Sequence, residues 1–274
     1  MKRASLLLLG GLVFAGLTFT ASCKKEDDDD DDGGGGGGTT TVVLLTQDSA
    51  SDGTNISIAK YTYNTSDQPV KIANYYNGSS TPGDWDTLLY ASGKLSKLQR
   101  YNSGSSTPEQ VQTYFYSGSV LDSITETGTN DSGAYALSHI YTYASGTLTR
   151  YHKVFRSGKN DAPNEPADFS SIVFTNGNID SLMLADAQSN SYGMVKADYD
   201  LTAERPFKSW TNDPEEILDM FCTNNETKIY LSASPTTPFF TVSYTYDNGR
   251  VATETEVEST NTYIHHYTWT EFTK

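Results

Sequence analysis

The chain has 274 residues, a formal charge of −15 and 19 tyrosines. That length allows one large β domain or two small ones, and the negative charge excludes binding along a phosphate backbone, so no nucleic-acid partner is expected. Seven of the acids form one run, Glu26 and Asp27 to Asp32, and the others are scattered among polar positions that suit a solvated surface.

The N-terminus reads as an address. Lys2 and Arg3 form a basic segment, and Leu6 to Phe19 is an apolar stretch of signal-peptide length, too short for a membrane span. It ends in Thr20-Ala21-Ser22-Cys23. Small residues just before a Cys resemble the lipobox of bacterial lipoproteins. The resemblance implies a signal peptide over residues 1–22 and lipid attachment at Cys23. The alternative is an ordinary signal peptide with an incidental Cys, but this Cys stands where the apolar stretch ends. The acidic run that follows resembles the export signal of Bacteroidota surface lipoproteins, which implies an outer-membrane lipid anchor with the protein facing the cell exterior. Gly33 to Gly38 cannot pack a core. With the acids they make residues 23–41 a tether with a coil reach on the order of 25 Å. Residues 42–274 are expected to form a single β-barrel-like domain. With Cys23 used by the lipid, Cys222 is the only other cysteine, so no internal disulfide can form. Cys222 suits a small buried apolar position.

The domain is built on a repeat. Tyr90-Ala-Ser-Gly-Lys-Leu95, Tyr143-Ala-Ser-Gly-Thr-Leu148, Phe174-Thr-Asn-Gly-Asn-Ile179 and Tyr246-Asp-Asn-Gly-Arg-Val251 share one template: aromatic, two residues, Gly, one residue, aliphatic. Asn-Gly is the strongest short hairpin signal, because a type I′ turn needs φ > 0 at both central residues. A two-residue turn sets the aromatic directly across from the aliphatic. Tyr116 to Leu121 keeps the spacing with Gly one place earlier, and Tyr61 to Val70 reads as a first copy with a longer turn. Continued alternation after the turn predicts Val251, Thr253, Thr255 and Val257 on the face of Phe240, Val242, Tyr244 and Tyr246. Glu254, Glu256 and Glu258 then form a solvated outer face. Longer connections at residues 77–84, 102–109, 128–133, 157–168 and 186–191 alternate with the tight turns. Two of them share the wording Gly-Ser-Ser-Thr-Pro, at 78–82 and at 104–108. In an up-and-down meander the tight turns gather at one end and the long loops at the other.

The Tyr-Asp hairpin at Tyr244 to Val251 resembles the repeats of large shell-forming toxin-delivery proteins. The other copies lack Asp and Arg at those places, and about six units are too few to enclose cargo. The layout of lipidated N-terminus, acidic spacer and Tyr-rich hairpins resembles Bacteroidota surface lipoproteins of unknown function with a porin-like barrel. That resemblance implies an all-β fold, an antiparallel up-and-down meander closed or nearly closed into a barrel. The strand signals from Ile56 to Phe272 number about 14–16, and a sheet that large must curl, split or close. One short helix is predicted over residues 213–222. Asp213 is its N-cap, Pro214 takes the first position, and Ile217, Leu218 and Phe221 form its apolar stripe. It serves as a cover over an open end of the sheet or as a plug.

Catalytic chemistry is sparse, and no catalytic residue, cofactor or metal site is assigned. His139 and His152 face each other in the register set by the Ser145-Gly146 turn, beside Arg150, but no third ligand completes a metal site. His265 and His266 point to opposite faces. Asp84-Trp85-Asp86 places two carboxylates on one side of a strand start and admits sugar contact or an acid–base pair. No nucleophile elbow, phosphate loop or zinc motif is present. The expected function is that of a monomeric, non-enzymatic surface binding module. Its lipid holds it to the membrane, and a glycan or protein ligand binds the long-loop end. Two alternatives are a membrane-inserted pore and a glycan-acting surface hydrolase using Asp84 and Asp86.

Overall fold

The computed structural model describes residues 40–130, 133–158, 168–185, 191–204, 221–258 and 261–274. Sixteen strands follow one another: β1 (Thr41–Ser51), β2 (Ile56–Tyr63), β3 (Pro69–Tyr76), β4 (Asp84–Ala91), β5 (Lys94–Asn102), β6 (Gln110–Ser117), β7 (Val120–Asn130) and β8 (Gly133–Ala144) in the first half. The second half holds β9 (Thr147–Ser157), β10 (Asp168–Thr175), β11 (Asn178–Ala185), β12 (Ser191–Glu204), β13 (Asn224–Leu231), β14 (Phe240–Asp247), β15 (Arg250–Glu258) and β16 (Asn261–Thr273). Each strand pairs antiparallel with its neighbours in sequence, and β1 pairs with β16, so the meander closes into a barrel. Closure leaves no edge strand to template aggregation. The expected signal segment, Cys23 and the expected tether up to residue 39 lie outside the described residues, whereas Thr41 already belongs to β1. The predicted helix also lies outside them, except for Phe221 and Cys222.

The tight turns form where the Gly template places them. Ser92-Gly93, Ser145-Gly146, Asn176-Gly177 and Asn248-Gly249 all have positive φ at both positions, as a type I′ turn requires. The expected cross-strand pairs follow: Tyr90 with Leu95, Tyr116 with Leu121, Tyr143 with Leu148, Phe174 with Ile179 and Tyr246 with Val251.

Beyond that pair the structure departs from simple alternation. In every one of these hairpins the returning strand carries one extra residue just after the aliphatic. The extra residues are Ser96, Asp122, Thr149, Asp180 and Ala252, and Val70 is the equivalent in the first copy. Such a bulge advances the strand by one residue without a partner and reverses which face its later side chains take. Val242 therefore lies opposite Glu256, and Tyr244 opposite Glu254. Both glutamates are buried inside the barrel, while Val257 is exposed. The expected solvated face of Glu254 and Glu256 is thus corrected. The same shift sets His139 opposite Lys153 rather than His152.

A bulge also frees a backbone carbonyl from the ladder, and a buried carbonyl needs a donor. The repeat supplies one. The Tyr63 hydroxyl donates to Leu45 O at 2.6 Å, Tyr143 to Leu121 O at 2.8 Å and Tyr199 to Ile179 O at 2.7 Å. The Trp269 indole donates to Val251 O at 2.8 Å. Each acceptor is the aliphatic residue beside a bulge one hairpin back; Leu45 stands in the same relation to the shift at the β1–β16 closure. Tyrosine therefore fills two roles here, an apolar ring for the core and a hydroxyl for the bulge.

The core lies inside the barrel at the tight-turn end. Leu88, Leu98, Ile124, Leu148, Tyr151, Ile179 and Ile229 are almost fully buried there, with the half-buried Tyr63, Tyr90, Tyr116 and Tyr143 packed against them. Phe221 enters between β12 and β13 and packs on Tyr141 and Tyr143 of β8, at ring-centroid distances of 5.7 and 6.3 Å. Cys222 is buried beside it, its Sγ 3.2 Å from the Tyr199 hydroxyl. The outward positions carry exposed charges at mid-strand, among them Lys60, Lys71, Arg150, Lys196 and Lys228.

Replacing Tyr143 by Phe keeps the ring but strands the Leu121 carbonyl. The expected loss is about 1–2 kcal/mol, read as a lower urea midpoint with an unchanged slope. An unchanged midpoint would show that the hydroxyl does not cap the bulge.

Candidate functional site

The inner wall changes character toward the long-loop end. The pairing register places Ile72, Asp86, Arg100, Gln110, Gly128 and Tyr135 in one continuous row across β3 to β8. The next row toward the tight turns reads Leu88, Leu98, Gln112, Glu126, Leu137 and Phe155. On β4 and β5 aliphatic side chains thus give way to a carboxylate and a guanidinium within one step, while β6 and β7 already carry Gln112 and Glu126 in the row nearer the turns.

Arg100 is the centre of this layer. Its Nε donates to Asp86 Oδ1 at 3.1 Å and its Nη2 to Asp86 Oδ2 at 3.4 Å. Burial holds the Asp86 carboxyl above its usual range even against the attraction of Arg100. Asp86 itself is 1% exposed, whereas the Arg100 side chain keeps 30% of its surface open. An inward-pointing side chain that solvent reaches marks an open mouth at this end. Asp84 lies one step nearer the mouth and accepts from the Tyr76 hydroxyl at 2.6 Å and from Asn74 Nδ2 at 2.5 Å.

Glu126 mirrors Asp84 on the far side of Arg100. Its Oε1 accepts from the Tyr135 hydroxyl at 2.9 Å and its Oε2 from Gln112 at 3.0 Å. His139 Nε2 lies 3.5 Å from Oε2, and His139 Nδ1 is 2.8 Å from the Tyr151 hydroxyl. Burial opposes the charge on Glu126, but the imidazole and the hydrogen bonds from Gln110 and Tyr135 outweigh it and bring its pKa to about 2. Burial, the hydrogen bonds to the carboxylates and their charge push the Tyr76 and Tyr135 hydroxyls well up, so both remain protonated donors. Glycine makes room for each of these rings. A Cβ on Gly83 would come within 2.7 Å of the Tyr76 ring, and one on Gly128 within 2.7 Å of the Tyr135 hydroxyl.

A second polar cluster sits at the barrel closure. His265 Nδ1 donates to Asp48 Oδ1 at 3.2 Å across the β1–β16 pair, and the Tyr267 hydroxyl donates to Glu254 Oε2 at 2.7 Å. Burial disfavours the imidazolium, yet Asp48, Glu254 and Glu256 hold the His265 pKa up at about 9. Burial and the neighbouring Glu254 push the Glu256 carboxyl far above the carboxylate range.

Of the residues singled out in the sequence, Asp84 and Asp86 share the interior as expected. Each is tied into hydrogen bonds, Asp84 with Tyr76 and Asn74 and Asp86 with Arg100. Trp85 points outward, stacked on Tyr101 at 5.4 Å with Lys71 over its ring. His139 and His152 do not meet. His139 is interior, while His152 lies 3.5 Å from Asp168, which also takes Arg150 on the outer face. No group of three metal-ligating side chains occurs among the described residues. Sequence reading missed Arg100, Glu126, Tyr135, Glu254 and Glu256 as site residues. The signal available for Arg100, Glu126, Glu254 and Glu256 was the bulge, which simple alternation ignores.

No protein-family model matches the chain, and no curated protein matches it. Among solved structures it is similar to a porin-like protein from Bacteroides uniformis, at 13% identity and TM-score 0.51, over 82% of this chain and 98% of that one. A porin-like protein from Bacteroides vulgatus overlays 82% of this chain and 97% of its own at 9% identity, with a TM-score of 0.38 that carries no argument. The overlay on TcdB2-TccC3-TEV spans 77% of this chain and 15% of that one, and its TM-score of 0.20 carries none either. The first similarity supports the barrel fold alone.

The closure cluster has a pH signature. Unfolding frees Glu256 to ionise above its ordinary pKa of 4.5, whereas the folded state keeps the proton, so folding weakens as pH rises through that value. His265 adds to this trend, because its stabilisation is complete below 6.5 and is lost as pH rises through about 9. Glu126 acts oppositely, contributing above 4.5 and losing its contribution as pH falls toward 2. The melting temperature is expected to fall from pH 5 to pH 9. Glu256→Gln should raise it by several degrees at pH 8 and by far less at pH 4. A gap between the two proteins that does not change with pH would rule out the buried, protonated Glu256.

Proposed function

We propose that the protein is a lipid-tethered surface binding module, monomeric and without catalytic activity of its own. It is anchored at Cys23 to the outer membrane, with its long-loop end turned away from the bilayer. One observation carries this reading. Both ends of the described barrel meet at the tight-turn end. Thr40 N donates to Lys274 O at 3.3 Å and Lys274 N to Thr40 O at 3.0 Å, and the Lys274 ammonium pairs with Asp67 in the β2–β3 turn. A tether entering at Thr40 therefore leaves the open, polar mouth at the distal end. Binding sites concentrate on loops carried by a rigid scaffold, and here the loops ring that mouth.

The distal loops are firmly built. In the two Gly-Ser-Ser-Thr-Pro copies, Ser79 Oγ donates to Thr81 O at 2.8 Å and Ser105 Oγ to Thr107 O at 2.6 Å. Neighbouring hairpins are tied by Ser103 N to Gly83 O at 2.7 Å and Thr129 N to Glu109 O at 3.2 Å. The name of the porin-like neighbour suggests a membrane-inserted barrel as a second reading. The exposed lysines at mid-strand weigh against it, because a charge on a lipid-facing wall costs about 2–4 kcal/mol at the bilayer midplane.

Two measurements separate these readings. Residues 39–274 should purify as a monomer in detergent-free buffer, whereas an inserted pore would aggregate until detergent is added. On intact cells making the full chain, Ser80→Cys and Ser106→Cys should react with a membrane-impermeant maleimide. Cys23→Ala should remove the protein from the membrane fraction. Labelling only after lysis would overturn the outward orientation.

A further inference from the structure

The Arg100 layer has features of a built recognition site. The rings of Tyr76 and Tyr135 are half-exposed, each seated on a glycine and each with its hydroxyl committed to a carboxylate, on Asp84 or Glu126. Between them lies Arg100, whose Nε and Nη2 are used on Asp86 while Nη1 makes no hydrogen bond among the described residues. Asn74, 3% exposed, gives its amide nitrogen to Asp84 and leaves Oδ1 without a partner.

Charge narrows what can enter. Asp84, Asp86 and Glu126 surround a single guanidinium, so the layer repels anions. An ammonium finds carboxylates there but has no acceptor to offer Nη1, which it would leave without a partner. A neutral polyhydroxyl compound meets all the demands. Its hydroxyls accept from Nη1 and donate to the remaining lone pairs of Asp84, which accepts only from Tyr76 and Asn74 among the described residues. Its C–H faces lie against the two tyrosine rings, which are apolar on their faces. A purely apolar ligand would leave the Arg100 edge and the carboxylates desolvated without partners.

We infer that the distal mouth of the barrel is a saccharide subsite, in which Arg100 and Asp84 bind sugar hydroxyls between Tyr76 and Tyr135, the latter held in place by Glu126. This inference rests on the binding-module reading and names its ligand class. The site is partly pre-formed, because hydrogen bonds and glycine contacts already fix both rings and both carboxylates.

The test uses the full chain without its signal segment, displayed against an array of neutral oligosaccharides and followed by saturation-transfer NMR on any sugar retained. The wild type should bind at least one neutral sugar. Tyr135→Leu and Tyr76→Leu should each weaken binding by about tenfold or more. Arg100→Lys, which keeps the charge beside Asp86 and loses the guanidinium edge, should weaken it as well. Melting curves identify any variant that has lost the fold. Lys97→Ala, on the outer wall, serves as the control and should bind normally. Saccharide binding that survives all three mouth substitutions at full strength overturns the site. Failure of the folded wild type to bind any neutral sugar overturns the ligand class. Either result leaves the tethered module standing, because that reading fails on the maleimide and detergent measurements instead.

Discussion

One extra residue after each tight turn governs this barrel. The turn itself sets an aromatic against an aliphatic, and uninterrupted alternation would carry that face up the returning strand. The bulge stops this after a single pair and hands the interior to the other set of side chains. In β15 it exchanges Thr253 and Thr255 for Glu254 and Glu256, and in β9 it turns Arg150 outward and Tyr151 inward. At Leu121, Ile179 and Val251 the bulge is sustained by a side-chain donor, Tyr143, Tyr199 or Trp269, for the carbonyl it frees. Phenylalanine at Tyr63 or Tyr143 would pack as well and would leave the acceptor carbonyl unpaired, which explains why the repeat is rich in tyrosine.

The interior is divided as a consequence. Near the tight turns, where the aromatic–aliphatic pairs stand, it is a packed apolar core that Phe221 reaches from the β12–β13 connection. Further on, the bulged strands deliver Arg100, Glu126 and Glu254 to the inside, and β16 adds His265. Buried charges of this kind are costly unless paired, and among them the pairings are dense: Asp86 with Arg100, Glu126 with Gln112 and Tyr135, Asp48 with His265. The exposure of Arg100 marks where the packed core ends and solvent reaches the inner wall. A rigid core at one end and an organised polar layer at the other is an arrangement suited to holding a ligand at a fixed distance from an anchor.

The position of the chain ends gives this polarity its functional direction. Thr40 and Lys274 pair at the tight-turn end, so an N-terminal tether departs from the packed side. The duplicated Gly-Ser-Ser-Thr-Pro loops then stand on the far rim beside the Arg100 layer. The proposed function requires three separate features to act together: lipidation at Cys23, export directed by the acidic run, and the direction of the mouth.

Local chemistry made much of the fold legible in the sequence. The Asn-Gly and Ser-Gly turns, the aromatic–aliphatic pairs, the all-β class and the strand number follow from φ requirements and period-2 patterning, which involve only neighbouring residues. Asp84 and Asp86 were also placed correctly on one face, because β4 leads into its turn and has no bulge. The inward turn of Glu254 and Glu256, the separation of His139 from His152 and the assembly of the Arg100 row were decided only by the tertiary structure. A bulge moves a side chain across the sheet without altering its local preference. Whether the flipped face is acceptable depends on partners on other strands, such as Tyr267 for Glu254 and Tyr135 for Glu126. Burial of those charges becomes tolerable only when the closed barrel brings their partners within hydrogen-bond distance.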